Sequence, residues 1–257
     1  MKLTVIGHWG GFPGPGEASS GYLLQKDGFN LLIDCGSAVV SQLQFYIPLK
    51  ELDAVLISHY HHDHAADVGP LQYGRLVAGY LEEDIPVLPI YGHNGDKEGF
   101  SRLTYKQATL GNVYHPNEKL EIGPFQISFL KTNHPAECYA FRITDGESVI
   151  VYTADSSFKE EFIPFAKGAD LLISECNFYA GQDGKSAGHM NSHDAAAIAR
   201  DAGVKQCILT HLPHFGNHED LLAEAQTLYK GPLCLAAKGL TWYRDKGGNA
   251  NGSNAVY

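Results

Sequence analysis

Residues 56–67 read LISHYHHDHAAD. Four histidines (His59, His61, His62 and His64) and Asp63 fall within six positions, directly after an apolar run. Each neutral imidazole carries one donor and one acceptor, so a packed core could not satisfy so many rings in one turn. A solvated loop has no use for them. A divalent metal ion does, because neutral imidazole and carboxylate are its preferred ligands. A complete site needs further ligands elsewhere in the chain.

Several other apolar runs also end in a coordinating residue. FQISFLK leads to His134, SVIVYTA to Asp155 and QCILT to His211, as AVLIS leads to His59. His59 and His61 are two apart, so in an extended segment they face the same way. Asp63 and His64 follow once the chain turns, and reach a second position. With His134 the first ion has three nitrogens; Asp63, His64 and His211 serve the second. Asp155 can bridge both through its two oxygens, which gives a two-metal site with ions about 3.5–4 Å apart, able to hold a bridging hydroxide. The expected cofactors are two divalent ions, zinc first, with manganese or iron as alternatives. The His62 side chain points away from both positions and is read as exposed or supporting.

The chain has 257 residues, 44% hydrophobic and 19% charged, which fits one globular domain over 1–257 with a polar tail at about 245–257. No apolar stretch approaches the roughly 20 residues that span a bilayer, so no membrane association is expected. The start, MKLTVIGHWGG, has no basic segment followed by an apolar block and cleavage site, so no signal peptide is expected. Five dispersed cysteines read as reduced thiols of a cytoplasmic protein, and no C-x-x-C pair offers a thiolate zinc site. Net charge is −10 with histidines neutral, which repels a long phosphate backbone and argues against extended nucleic-acid binding. A small anionic substrate is compatible, because bound cations make a local positive pocket. A homodimer stays open.

Short β-rich runs alternate with turn signals. YLLQ and FNLLID are separated by KDG, and CYAFRI and SVIVYTAD by TDGE, both hairpin signals. Residues 66–120 read as mixed helix and loop, and 92–118, with His93 and His115, carries no interpretable motif. A helix begins near Asn191 or Ser192 and stops at Gly203; another runs from about His218 to Lys230. LCLA and LTWYR supply a final pair of strands. Hairpins followed by strand–helix alternation predict an α/β protein with at least one mixed sheet.

The pattern His59-x-His61-x-Asp63-His64, then His134, Asp155 in TADSS and His211 in LTH, resembles the metallo-β-lactamase superfamily. Asp34 in LLIDCG is similar to that superfamily's first motif, in which an aspartate after a strand braces the metal-binding loop. The resemblance runs from Gly7 to about Tyr243 and implies an αββα sandwich, two face-to-face β-sheets flanked by helices. It implies a hydrolase but not a substrate, because fold does not imply function.

Asp155 resembles the bridging aspartate of the phosphodiesterase, glyoxalase-II and lactonase branches, which true β-lactamases typically lack. The chain ends soon after LTWYR, where glyoxalase-II-like members carry a helical region for glutathione. GHMNSHDAAAIARDAG is similar to the ribonuclease Z and phosphodiesterase branch, in which a histidine before an Ala-rich helix faces the scissile phosphate. The matching residue is His189, a candidate to protonate a leaving oxygen. Backbone N–H groups at a helix start bind anions, and Asn191 or Ser192 can cap and donate there. Ribonuclease Z enzymes usually insert a tRNA-gripping arm between the third motif and the bridging aspartate. Here His134 and Asp155 are 21 positions apart, filled by two strands and a turn. The expected activity is therefore a dinuclear phosphodiesterase for a cyclic or short nucleotide ester, with Asp63 also orienting the nucleophile. A tRNA 3′-processing endonuclease, a thioester or lactone hydrolase and a metal-stabilised binding protein follow in that order. Trp9 and Phe12, in the Gly/Pro-rich loop 7–20, either stack on a substrate or pack in a turn, the latter favoured.

Overall fold

The computed structural model describes residues 1–81 and 85–244. The expected tail at 245–257 lies outside the described residues. Two compact units emerge: residues 1–115 with the segment from 237 onward, and residues 116–236.

Unit one is built on a seven-stranded mixed sheet. Its strands are β1 (Lys2–Gly7), β2 (Gly21–Lys26), β3 (Phe29–Ile33), β4 (Ala54–Leu56), β5 (Leu88–Gly92), β6 (Thr109–Val113) and the late strand β14 (Thr241–Tyr243). The spatial order is β14-β1-β2-β3-β4-β5-β6. The first three pairings are antiparallel and the last three parallel. The KDG signal delivers the expected hairpin. Lys26 pairs with Phe29, and both loop residues, Asp27 (φ 50°) and Gly28 (φ 86°), adopt the left-handed conformation that a two-residue turn demands. Helices α1 (Val39–Leu43), α2 (His62–Ala65), α3 (Val68–Leu81) and α4 (Lys97–Ser101) belong to this unit. Leu71 of α3 and Val39 of α1 join Leu32, Val55 and Ile90 in one buried cluster.

Unit two repeats this pattern with β7 (Leu120–Ile122), β8 (Phe125–Lys131), β9 (Tyr139–Thr144), β10 (Val149–Tyr152), β11 (Leu171–Glu175), β12 (Cys207–Thr210) and β13 (Leu233–Leu235), paired in chain order. Again the first three pairings are antiparallel and the last three parallel. Its helices are α5 (Phe162–Ala166), α6 (Ser192–Asp201) and α7 (His218–Leu228). The small residues Ala195 and Ala199, with Ile198, let α6 pack closely among Val151, Leu172 and Leu209. The helix starts in a capping box between Asn191 and Asp194, and Gly203 (φ 62°) follows its last turn.

Three expectations need correction. Residues 66–120 contain β5 and β6 besides helices, and LPIYG and TLGNV escape notice because Pro and Gly interrupt them. The runs LCLA and LTWYR are both strands, but β13 pairs β12 and β14 pairs β1, so they do not form a pair. The α7 helix ends at Leu228, two residues earlier than read. Among the described residues, no helix is long and apolar enough to cross a membrane.

Candidate metal-binding site

In unit one the candidate ligands lie beyond the carboxyl ends of parallel strands, where open α/β sheets place their chemistry. Asp34 follows β3, and His59 follows β4. Asp34 is fully buried and acts as a hub: its Oδ1 accepts from the Ser58 backbone N–H at 2.8 Å and its Oδ2 from the Ser58 hydroxyl at 2.9 Å. The same Oδ2 lies 2.8 Å from His64 Nδ1. Ser58 Oγ in turn lies 3.1 Å from His59 Nδ1. Both rings thus have Nδ1 engaged by a group tied to one carboxylate, which leaves Nε2 as the coordinating atom. Asp34 thus ties Ser58 and His64 together across the start and end of the cluster.

The cluster itself is held by backbone. Cys35 N–H donates to His64 O at 2.7 Å, Ser20 N–H to Asp63 O at 3.1 Å, and Asp67 N–H to Cys35 O at 3.0 Å. Gly36 is required here, since a Cβ would stand 1.9 Å from Asp63 O. Coordinating atoms of His59 and His61 lie within 4.8 Å of each other, as do those of Asp63 and His64. Asp63 and His64 are buried in α2, whereas His61 and His62 are exposed. The Gly/Pro-rich loop joins this cluster: Gly11 N–H donates to Asp63 Oδ2 at 2.8 Å. Trp9 is fixed within that loop by its bond to Glu17 (2.5 Å), while Phe12 is exposed.

In unit two the candidate ligands come from separate strand ends. Strands β8 and β10 are both antiparallel to β9, so His134 after β8 and Asp155 after β10 emerge on the same edge. The two loops are tied by Ser157 N–H to Asn133 O (2.9 Å) and Asn133 N–H to Ser156 Oγ (3.0 Å). His134 Nδ1 lies 3.1 Å from Gly188 O, and its Nε2 lies 4.0 Å from Asp155 Oδ2. His211, directly after β12, brings Nε2 to 3.3 Å from the same oxygen, with the Asn177 amide 3.4 Å from its Nδ1. Backbone strain gathers at these positions: Asp34 (φ 55°), Ala154 beside Asp155 (φ 50°) and His211 (φ 54°) are left-handed without being glycine.

His189 stands beside this group, its ring centroid 5.2 Å from that of His134 and 5.1 Å from that of His211. Its Nδ1 lies 3.0 Å from Oε1 of Glu175, the last residue of β11. Glu175 is fully buried and also accepts from the backbone N–H groups of Ser156 (2.8 Å) and Met190 (3.1 Å). This carboxylate was missed in the sequence, although DLLISE ends in a coordinating residue just as the other strands do. Glu175, His189 and His211 could together hold a cation. Both Glu175 oxygens are already engaged by fixed donors, which makes it a holder of His189 rather than a ligand.

At the helix start after His189 both candidate substrate-binding side chains are engaged within the protein. The Asn191 side chain accepts from Asp194 N–H at 3.0 Å as a cap. Ser192 is fully buried, and its one O–H is directed to Glu224 at 2.6 Å, so it has no proton to offer a substrate. Imidazoles with Nδ1 held and Nε2 directed, converging on carboxylates, fit divalent metal ions.

Comparison with known proteins agrees with this chemistry. The profile of the beta-lactamase superfamily domain matches residues 29–212. The chain belongs to that superfamily. It is 58% identical over 242 residues to the probable metallo-hydrolase YhfI of Bacillus subtilis (strain 168), covering 94% of this chain and 99% of that one. The crystal structure of YhfI superposes with a TM-score of 0.93 at 57% identity, covering 94% and 98% of the two chains. A ribonuclease Z of Brevibacillus brevis is 28% identical over 300 residues, covering 89% and 92%. A diphosphatase from the PhnP family shares the fold, with a TM-score of 0.74 at 21% identity over 95% and 98% of the two chains. The chain is a metallo-hydrolase of the beta-lactamase superfamily with ribonuclease Z relatives.

Proposed function

We propose that the chain is a dinuclear metal-dependent phosphodiesterase acting on a small phosphodiester, a cyclic or short nucleotide ester. The donor set is the one read from the sequence: His59, His61, Asp63, His64, His134, Asp155 and His211, with zinc the first choice of metal and manganese or iron as alternatives. Two such ions lower the pKa of bound water to around 7 and stabilise charge on phosphoryl oxygens. The remaining chemistry falls to the chain's own residues. Glu175 holds the Nδ1 proton of His189, which turns Nε2 outward to deliver a proton to the leaving oxygen. Gly11 N–H engages one Asp63 oxygen and so limits how that carboxylate turns.

The observation that carries this reading is the Glu175–His189 pair beside His134 and His211. An acyl hydrolase built on the same donors has no essential task for it. The segment between His134 and Asp155 holds only β9, β10 and their connections, with no arm for tRNA, and the net charge is −10. Both features support a small anionic substrate over a long polyanion. Turnover of bis(p-nitrophenyl) phosphate by His189→Ala tests the proposal: a loss of about 10²-fold or more is expected. An unchanged phosphodiester rate alongside strong esterase activity would favour the thioester or lactone reading.

A further inference from the structure

His62 is the one histidine of the opening cluster that the donor set does not use, and it borders a cavity within unit one of about 340 Å³. That volume lies within the usual range of small-molecule sites. The cavity runs from Tyr60, His62, Ala65 and Ala66 across to Gly69 of α3 and Arg102 after α4. One wall is pre-formed. The Tyr60 ring is clamped by two glycines, since a Cβ on Gly99 would stand 2.4 Å from its Cγ and one on Gly92 2.3 Å from its hydroxyl. Its hydroxyl donates to His93 O at 2.6 Å. The opposite wall is held by Gln72, whose amide donates to Arg102 O at 2.8 Å and to Thr109 Oγ1 at 3.0 Å.

The chemistry of the walls selects an occupant. Tyr60, Val68 and Leu103 give an aromatic and aliphatic interior, suited to a flat ring. Arg102 and His62 supply cationic or donor groups. Among the described residues Arg102 pairs with Glu98 four residues earlier on the surface, an arrangement weak enough to be exchanged for a ligand's carboxylate. A space of this size admits a bicyclic acid. We propose that this cavity is a binding site for a small aromatic anion, separate from the donor set, and that its occupancy is felt through α2. This helix of four residues carries buried Asp63 and His64, while His62 and Ala65 border the cavity. Only the consequence for hydrolysis rests on the function proposed above; binding itself does not.

Gly69 offers a clean test, because a Cβ there meets nothing within 4 Å and a longer side chain fills the cavity instead of the core. Binding of indole-3-carboxylate and its neutral counterpart indole-3-carboxamide would be followed by NMR of the ligand and of the protein's histidine rings, with inorganic phosphate present to occupy bound metal ions. Wild type should bind the carboxylate saturably, with the ring resonances of His64 shifting in step. Gly69→Leu should weaken it at least tenfold. Arg102→Ala, at an exposed position that cannot unfold the chain, should remove most of the preference for the carboxylate over the carboxamide. Equal binding to wild type and Gly69→Leu, no saturable binding to wild type, or an unchanged preference in Arg102→Ala would each overturn the proposal. Saturable binding with His64 unmoved would overturn the link to α2.

Discussion

The two units share one strand plan, three antiparallel pairings followed by three parallel ones, yet fix their candidate ligands by different means. Unit one concentrates them in residues 59–64 and fastens that segment with backbone bonds from Ser20 and Cys35, the latter held in turn by Asp67 N–H. Unit two spreads them over the ends of β8, β10 and β12 and relies on individual side-chain partners such as Glu175 and Asn177. In corresponding positions, Asp34 follows β3 as Asp155 follows β10, and His93 follows β5 as His211 follows β12. At the first of these positions one plan thus carries the buried hub Asp34 in unit one and a coordinating candidate in unit two. A segment locked by its backbone should fail as a whole when the lock is broken. A set held by side chains should lose one function at a time.

The largest effect is expected in unit one. Gly36→Ala puts a methyl group 1.9 Å from Asp63 O, against backbone that cannot rotate away. It should cost about 3 kcal/mol or more of stability in urea unfolding and sharply reduce metal affinity in the same protein. Native stability and full metal uptake in Gly36→Ala would show that the segment is not locked as described.

Unit two should respond more selectively. Glu175→Gln keeps the shape of the side chain but can no longer accept at both oxygens, so the orientation of His189 is lost. Turnover on a phosphodiester should fall by roughly 10- to 100-fold, with KM and metal content little changed. A parallel loss of metal would mean that Glu175 acts as a ligand.

The smallest effect sharpens the description of unit one. Burial pushes the Asp67 carboxyl above its usual value, against the opposing influence of the Val40 and Ala38 N–H groups. A raised value in the folded state means that the ionised form is the costlier one there. That cost is absent below the unfolded pKa of about 4 and grows as pH rises through the folded value. Asp67→Asn should therefore gain stability relative to wild type between pH 4 and 7, by a few tenths of a kcal/mol for this half-exposed group. Equilibrium unfolding at several pH values measures it, and a gain in the opposite direction would contradict the assignment.

The same contrast explains what could be read in the sequence. The candidate cluster in unit one is legible from local density alone, since a metal site gives so many imidazoles in one turn a use. His134, Asp155 and His211 were legible because each ends an apolar run that is buried in the sheet, and the resemblance joined them. Glu175 ends such a run too. It went unnoticed because a buried glutamate announces itself through partners, three fixed donors here, that no linear spacing reveals. The pairing of β14 with β1 is equally invisible, because it joins the two ends of the described chain. Ser192 reads as a free hydroxyl until α7 supplies Glu224.

The most direct measurement is metal content and turnover on one purified sample, before and after chelation. Two divalent ions per chain are expected, with loss of bis(p-nitrophenyl) phosphate hydrolysis on their removal and recovery when zinc or manganese is returned. A folded, metal-free protein that still hydrolyses the diester, or full turnover with a single ion, would contradict that expectation.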